Sequence, residues 1–250
     1  LRGMDSARSL HPMPKNAVVY TGHYVDHELV SNIEADCAKR IARMRSGAPK
    51  RWLMSVGGAG AQKEIFVTII RRLIPVIKKE KAALFVNVGD HANVWQELLR
   101  AIPEMQPMLH RHFDDFDETV RFCEGAYDGD VTGIHAFCHK DIFAAVYSTN
   151  LLMRVSDVLI TKPSELSFYP VPKLMIHRVG GHEAWGAIRS AELGDGTYEC
   201  STPFETAAML VLLQKNGDII EQMCGHIQAA KQAGIYDGAY RAVELARGIT

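Results

Sequence analysis

Three stretches of the chain combine residue types suited to holding a phosphorylated or hydroxylated ligand. The first is Val56-Gly57-Gly58-Ala59-Gly60-Ala61-Gln62, a strand-to-helix turn. Its glycines let the backbone approach a ligand closely, and the free N–H groups of the helix that follows form an anion site. No GK[ST] follows and the spacing is not GxGxxG, so it is neither a P-loop nor a dinucleotide fingerprint; a tight turn without a ligand is the other reading. The second is Asp157–Glu165, where a strand opens into Lys162, Ser164 and Glu165. Ligands of open α/β sheets sit beyond the carboxyl ends of the strands, which is where these side chains fall. A carboxylate such as Glu165 can accept two hydrogen bonds from the vicinal hydroxyls of a ribose. Its plain alternative is a charge offsetting a helix dipole. The third is Val179-Gly180-Gly181-His182-Glu183-Ala184-Trp185-Gly186-Ala187, a second glycine turn opening a helix. There His182 and Glu183 can donate to and accept from sugar hydroxyls or phosphate oxygens; the alternative is a solvated first turn with Trp185 packed in the core.

Other chemistries lack their residues. His23 and His27, His110 and His112, and His135 and His139 form pairs, but no HExxH occurs. Four residues along a strand separate His135 from His139 by about 13 Å, too far to share one ion, so no metal site is expected. A GxSxG elbow and a catalytic-cysteine signature are both missing, which argues against a hydrolase. The five cysteines, at positions 37, 123, 138, 200 and 224, are widely spaced without a CxxC and suit a reducing cytoplasm.

The elements that must carry these turns follow from apolar periodicity. A short β-branched run at Ala17–Tyr20 begins the ordered part. Helical spacing covers Leu29–Arg45, then the buried-strand run Trp52–Val56 leads through the glycine turn into a helix over Ile65–Ile77. Ala82–Val88 and Val94–Ile102 repeat the pattern. Residues 103–133 resist assignment, apart from a short helix within Thr119–Tyr127. Beyond them lie a strand at Gly133–Cys138, a helix at Asp141–Val155 capped by Asp141, and strands at Val158–Thr161 and Lys173–His177. Helical stretches at 181–193, 203–215 and 218–247 close the chain, the last broken near Gly234. The alternation predicts an α/β fold: a Rossmann-like, three-layer parallel sheet with helices on both faces.

Composition sets the limits. The chain has 250 residues, 28 Lys+Arg against 29 Asp+Glu, a net charge of -1 and 47% hydrophobic residues, which excludes collagen, coiled coil and disorder. Near-zero charge gives no general reason to expect a nucleic-acid partner. The longest apolar runs, such as Ala82–Val88 and Met209–Leu213, are far below the roughly 20 residues that span a bilayer. Leu1-Arg2-Gly3-Met4 reads as a cut boundary, residues 1–16 as a lead-in or linker, 17–215 as the ligand-binding domain and 216–250 as helices packing on it.

In this order the motifs resemble the C-terminal, donor-binding half of GT-B fold glycosyltransferases, in the branch of the peptidoglycan N-acetylglucosaminyltransferase and the monogalactosyldiacylglycerol synthases. Tyr20-Thr21-Gly22-His23-Tyr24-Val25 is similar to the family's TGNPV-like turn, and Gly57-Gly58-Ala59-Gly60-Ala61 to its GGSQGA loop, one residue shorter. Phe137 matches an aromatic position near the nucleotide base. Ser156–Glu165 matches the strand and loop ending in SE, Pro172 stands seven residues on at a GLP-like turn, and His182–Ala187 resembles the closing helix start. Two departures stand out: the loop between Thr161 and Ser164 is short and lacks the family's glycine, and Gly186 replaces a common Asn. The resemblance, over roughly residues 17–215, implies that Glu165 holds ribose and that Phe137 borders the base of UDP. It implies that Gly57, Gly58, Ala59 and Gly60, with Gly181, His182 and Glu183, approach the diphosphate and sugar. Metal-independent transfer follows, with a UDP-sugar as substrate and no cofactor, and an N-terminal acceptor domain, holding the general base, outside this chain. Donor binding without efficient transfer is expected of this half alone. The alternatives are a nucleotide-sugar 2-epimerase of the same fold and a binding module that has lost catalysis.

Overall fold

The computed structural model describes residue 14 and residues 17–56 and 62–248. Six strands, β1 (Lys50–Ser55), β2 (Ala82–Asn87), β3 (Leu109–Phe113), β4 (Gly133–Cys138), β5 (Val158–Thr161) and β6 (Lys173–Met175), form one all-parallel sheet in the order β3-β4-β2-β1-β5-β6. Helices α1 (His27–Ser46), α2 (Lys63–Ile77), α3 (Ala92–Ala101), α4 (Phe116–Asp128) and α5 (Ile142–Val155) are followed by α6 (Ala184–Leu193), α7 (Pro203–Lys215), α8 (Gly217–Gln232) and α9 (Gly238–Ala246). Together they make the Rossmann-like α/β layering expected from the sequence.

Burial explains the strands. All of β2 is buried and β1 only surfaces at Ser55, as parallel strands covered on both faces require. Helix α2 turns Ile65, Phe66, Ile69, Ile70, Leu73, Ile74 and Ile77 inward and packs on α7 and α3, while α5 packs on α4 and α1. Asp141 caps α5 by accepting from the Ala144 N–H at 2.8 Å. Helix α8 lies along α1, and the chain turns at Gly234 before α9.

Several expectations need correction. The unassigned stretch holds a 3-10 turn at Pro103–Met108, the edge strand β3 and the helix α4, longer than the one foreseen. Ala17–Tyr20 is not a strand: among the described residues no neighbour pairs with it, and Val18, Val19 and Tyr20 are largely exposed. Instead the segment hooks onto the C-terminal turn. His23 N–H donates to the Ile235 carbonyl at 2.6 Å, and Gly22 (φ 114°) runs so close that a Cβ there would meet the same carbonyl oxygen at 2.6 Å. Strand β6 ends at Met175, after which Ile176 makes only a bridge to Cys200.

Candidate functional site

From β1 the chain crosses to β2 on one side, and after β4 it returns to the other side of β1 to form β5. The crevice beyond the carboxyl ends of β1 and β5 is therefore the topological switch point. The turn after β5 opens there, and the 179–187 turn flanks it. Gly57, Gly58, Ala59 and Gly60 lie outside the described residues. The first described residue after them, Gln62, is buried and donates through Nε2 to the His177 carbonyl, tying the start of α2 to the segment beyond β6.

Past Thr161 the chain turns at once. Ser164 N–H donates back to the Lys162 carbonyl at 2.8 Å, and the Ser164 carbonyl accepts from the Ser167 N–H at 3.0 Å and Oγ at 2.6 Å. Glu165 opens the resulting 3-10 turn, Glu165–Phe168, with its side chain exposed. Among the described residues it has no side-chain hydrogen bond, so its carboxylate is free to accept.

The turn is held from behind by residues that sequence reasoning missed. Lys173 is wholly buried; its Nζ donates to the carbonyls of Tyr169 at 2.8 Å and Val171 at 2.9 Å and lies 2.8 Å from Asp195 Oδ2. Burial lowers the pKa of this ammonium, with Asp195 opposing. Asp195 also accepts from Ser190 Oγ at 2.5 Å and the Tyr236 hydroxyl at 3.1 Å. His23 Nδ1 meets the Phe168 carbonyl at 3.1 Å, and since a carbonyl only accepts, that nitrogen carries the proton. Burial pulls its pKa below 6.5. A lysine inside the apolar run Val171–Ile176 was the available signal.

Beyond β6, Gly181 and His182 are exposed while Glu183 is buried. Its Oε2 accepts from the N–H groups of Val179 at 2.7 Å and Gly180 at 3.1 Å, and Oε1 pairs with Lys162. Burial favours the neutral acid, but Lys162 and the two amides outweigh it and hold the carboxyl at about 2. Glu183 thus closes the helix start on itself and fastens Lys162 to it, rather than presenting a free carboxylate. Trp185, which the plain alternative for this turn packed in the core, is 57% exposed. His177 and Arg178 flank this turn, both joined to Glu199, at 3.3 Å and 3.2 Å.

Phe137 is corrected too. It is wholly buried in β4, its ring stacked on His112 with centroids 4.5 Å apart and packed against Phe122 and Phe85. A strand buried on both faces draws the ring into the core, leaving it no surface for a base.

Gly186 stands where α6 meets the Glu165 turn. A Cβ built there would lie 2.5 Å from Ser167 Oγ and 2.7 Å from the Pro163 carbonyl oxygen. The loop backbone thus occupies the space that a side chain at position 186 would need.

This sheet order with its switch-point crevice defines a Rossmann-like α/β protein with the architecture of one half of the GT-B fold. A family model for a domain of unknown function, DUF6938, matches residues 13–247, and the chain belongs to that family. No curated protein matches it in sequence. Two solved structures share the fold at 13% identity. One is UDP-GlcNAc 2-epimerase from Neisseria meningitidis bound to UDP-GlcNAc, with a TM-score of 0.56 over 94% of this chain. The other is WaaG, a glycosyltransferase involved in lipopolysaccharide biosynthesis, with a TM-score of 0.53 over 93%. The match spans 57% of each of those chains. The C-terminal CMP-Kdo binding domain of WaaA from Acinetobacter baumannii matches at 13% identity over 81% of this chain and 98% of its own, with a TM-score of 0.48. Among the described residues no helix is long and apolar enough to cross a membrane.

Proposed function

We propose that this chain is the nucleotide-sugar-binding half of a glycosyltransferase, taking a UDP-sugar as donor without a metal ion. The observation that carries the reading is Glu165, an exposed and unengaged carboxylate at the carboxyl end of β5 beside the switch-point crevice. It would accept the two ribose hydroxyls. Lys162 and the N–H groups of the 57–60 turn would offset the charge of the leaving diphosphate, with Ser164, Gly181 and His182 beside the sugar. Glu183, engaged with Lys162 and two amides, would hold Lys162 in place. An acceptor domain carrying the general base would come from outside this chain, in the cytoplasm.

Calorimetric titration of UDP, GDP, dTDP and NAD against the wild-type chain and Glu165→Ala tests this. Saturable UDP binding that weakens about tenfold in the variant is expected, the loss of a hydrogen bond to a charged group. If none of the four binds, the donor-site reading fails. Incubation with UDP-GlcNAc and analysis of the sugar's configuration at C2 separates transferase from epimerase.

A further inference from the structure

At the amino-terminal end of the sheet, roughly 20 Å from the crevice across a six-residue strand, lies a basic groove that the donor reading does not use. A cavity of about 270 Å³ is lined by Arg43, Lys50, Lys81 and Lys215, with Gln214 on one wall. Lys81, Gln214 and Lys215 also border a second cavity of about 460 Å³, which adds Arg72 and Lys79 and an apolar surface of Pro75, Val76, Leu210 and Val211. Among the described residues neither lining contains an Asp or a Glu. Six cations thus line two adjoining cavities; Arg43 is paired with Asp157, and among the described residues the other five have no salt bridge.

The buried members are already fixed in place. Arg43 Nε donates to Asp157 Oδ1 at 2.8 Å; Nη2 is 2.8 Å from the same oxygen but has no aligned acceptor among the described residues. Lys50 is 5% exposed and donates to the carbonyls of Leu213 and Gln214 at the end of α7. Burial brings its pKa down to about 8, with Asp157 and Asp218 acting the other way. Lys81 and Lys215 stand exposed at the mouth, and Glu80, between Lys79 and Lys81 in sequence, lines neither cavity.

We infer that this groove binds a phosphate monoester bearing an apolar chain, its phosphate against Lys50, Lys81 and Lys215 and its chain on Val76, Leu210 and Val211. Lys81 and Lys215, exposed and without a side-chain hydrogen bond or salt bridge among the described residues, flank a small cavity and suit a compact anion. The adjoining apolar wall is the part that inorganic phosphate would leave unused. The site is separate from the crevice, so it stands or falls independently of donor binding.

Calorimetry on the full chain with dodecyl phosphate below its micellar concentration, inorganic phosphate and dodecyl maltoside tests the site. Dodecyl phosphate is expected to bind at least about tenfold more tightly than either control, about 1.4 kcal/mol. The double variant Lys81→Glu/Lys215→Glu, altering two exposed side chains, should weaken it about tenfold or more, and Lys81→Arg/Lys215→Arg should retain it. Trp52 Nε1 donates to Gln214 Oε1 at 2.7 Å. In a chain with Trp95→Phe and Trp185→Phe, Trp52 emission should therefore shift on dodecyl phosphate binding. Equal binding of dodecyl maltoside or inorganic phosphate, no saturable binding, or indifference to charge reversal overturns the inference. Flotation with phosphatidic acid vesicles but not with phosphatidylglycerol or phosphatidylcholine vesicles would identify a membrane monoester as the source of the ligand; response to the monomeric ester alone would identify a soluble one.

Discussion

The carbonyl oxygen of Pro163 lies 2.7 Å from where a Cβ on Gly186 would stand, and that approach seats the Glu165 turn directly on the first turns of α6. Gly186→Ala places a methyl group against the backbone of Pro163 as well as Ser167 Oγ, so trimming Ser167 does not relieve it. A loss of about 1–3 kcal/mol in urea unfolding is expected, the usual range for overpacking, with UDP affinity falling as the turn shifts. Unchanged stability would mean that the loop and helix are not in this contact.

Lys173→Met leaves Asp195 buried without its cation and strips the Tyr169 and Val171 carbonyls of their donor. A loss of about 3–5 kcal/mol is expected for breaking a buried pair on one side. Adding Asp195→Asn should recover part of it, which a double-mutant cycle by chemical denaturation measures.

Acid should release the 179–183 turn. Glu183 is held at about 2 against an ordinary value of 4.5, so its contribution is complete above about pH 4.5 and is lost as pH falls toward 2. Glu183→Gln should remove about 2 kcal/mol at pH 7, typical of hydrogen bonds to a charged group. It should also flatten stability between pH 4.5 and 2 relative to wild type. Parallel pH profiles of the two proteins would count against the pairing with Lys162.

Phe137→Leu separates packing from recognition. With the ring wholly buried, the variant should lose about 1 kcal/mol of stability while the Kd for UDP changes by less than about twofold. A much larger loss of affinity in a folded variant would return Phe137 to the ligand.

Asp157→Ala addresses the other end of the sheet. Asp157 is wholly buried, accepting from the Arg51 N–H and from Arg43 Nε, each at 2.8 Å. Removing it leaves Arg43 as an uncompensated buried charge, with a loss of about 3–5 kcal/mol expected in thermal or urea unfolding.

Periodicity located the elements whose burial is two-sided or sharply one-sided. Gly133–Cys138 and Val158–Thr161 have the bounds read from sequence, because strands covered on both faces leave uninterrupted apolar runs. Strand β3 escaped because it is an edge: His110 and Arg111 are both exposed, so Leu109–Phe113 does not look like a core strand. Val18-Val19-Tyr20 misled in the opposite sense, since β-branched residues make a strand only where a neighbour pairs with them. At the site, Glu165 and Lys162 were legible as polar residues at a strand end. The supports were not, because Lys173, Asp195, Tyr236 and His23 come from distant parts of the chain and only tertiary packing brings them together.

The hook between Gly22-His23 and the 235–238 turn has a mechanical meaning. His23 donates to Ile235 and Gly238 N–H donates back to the His23 carbonyl at 3.1 Å, so tension on the chain ahead of Thr21 falls on that turn. Tyr236 passes the load to Asp195, Asp195 to Lys173, and Lys173 to the backbone just behind Glu165. The N-terminal segment is thereby pinned to the C-terminal turn and, through Tyr236, Asp195 and Lys173, to the backbone that follows the Glu165–Phe168 turn.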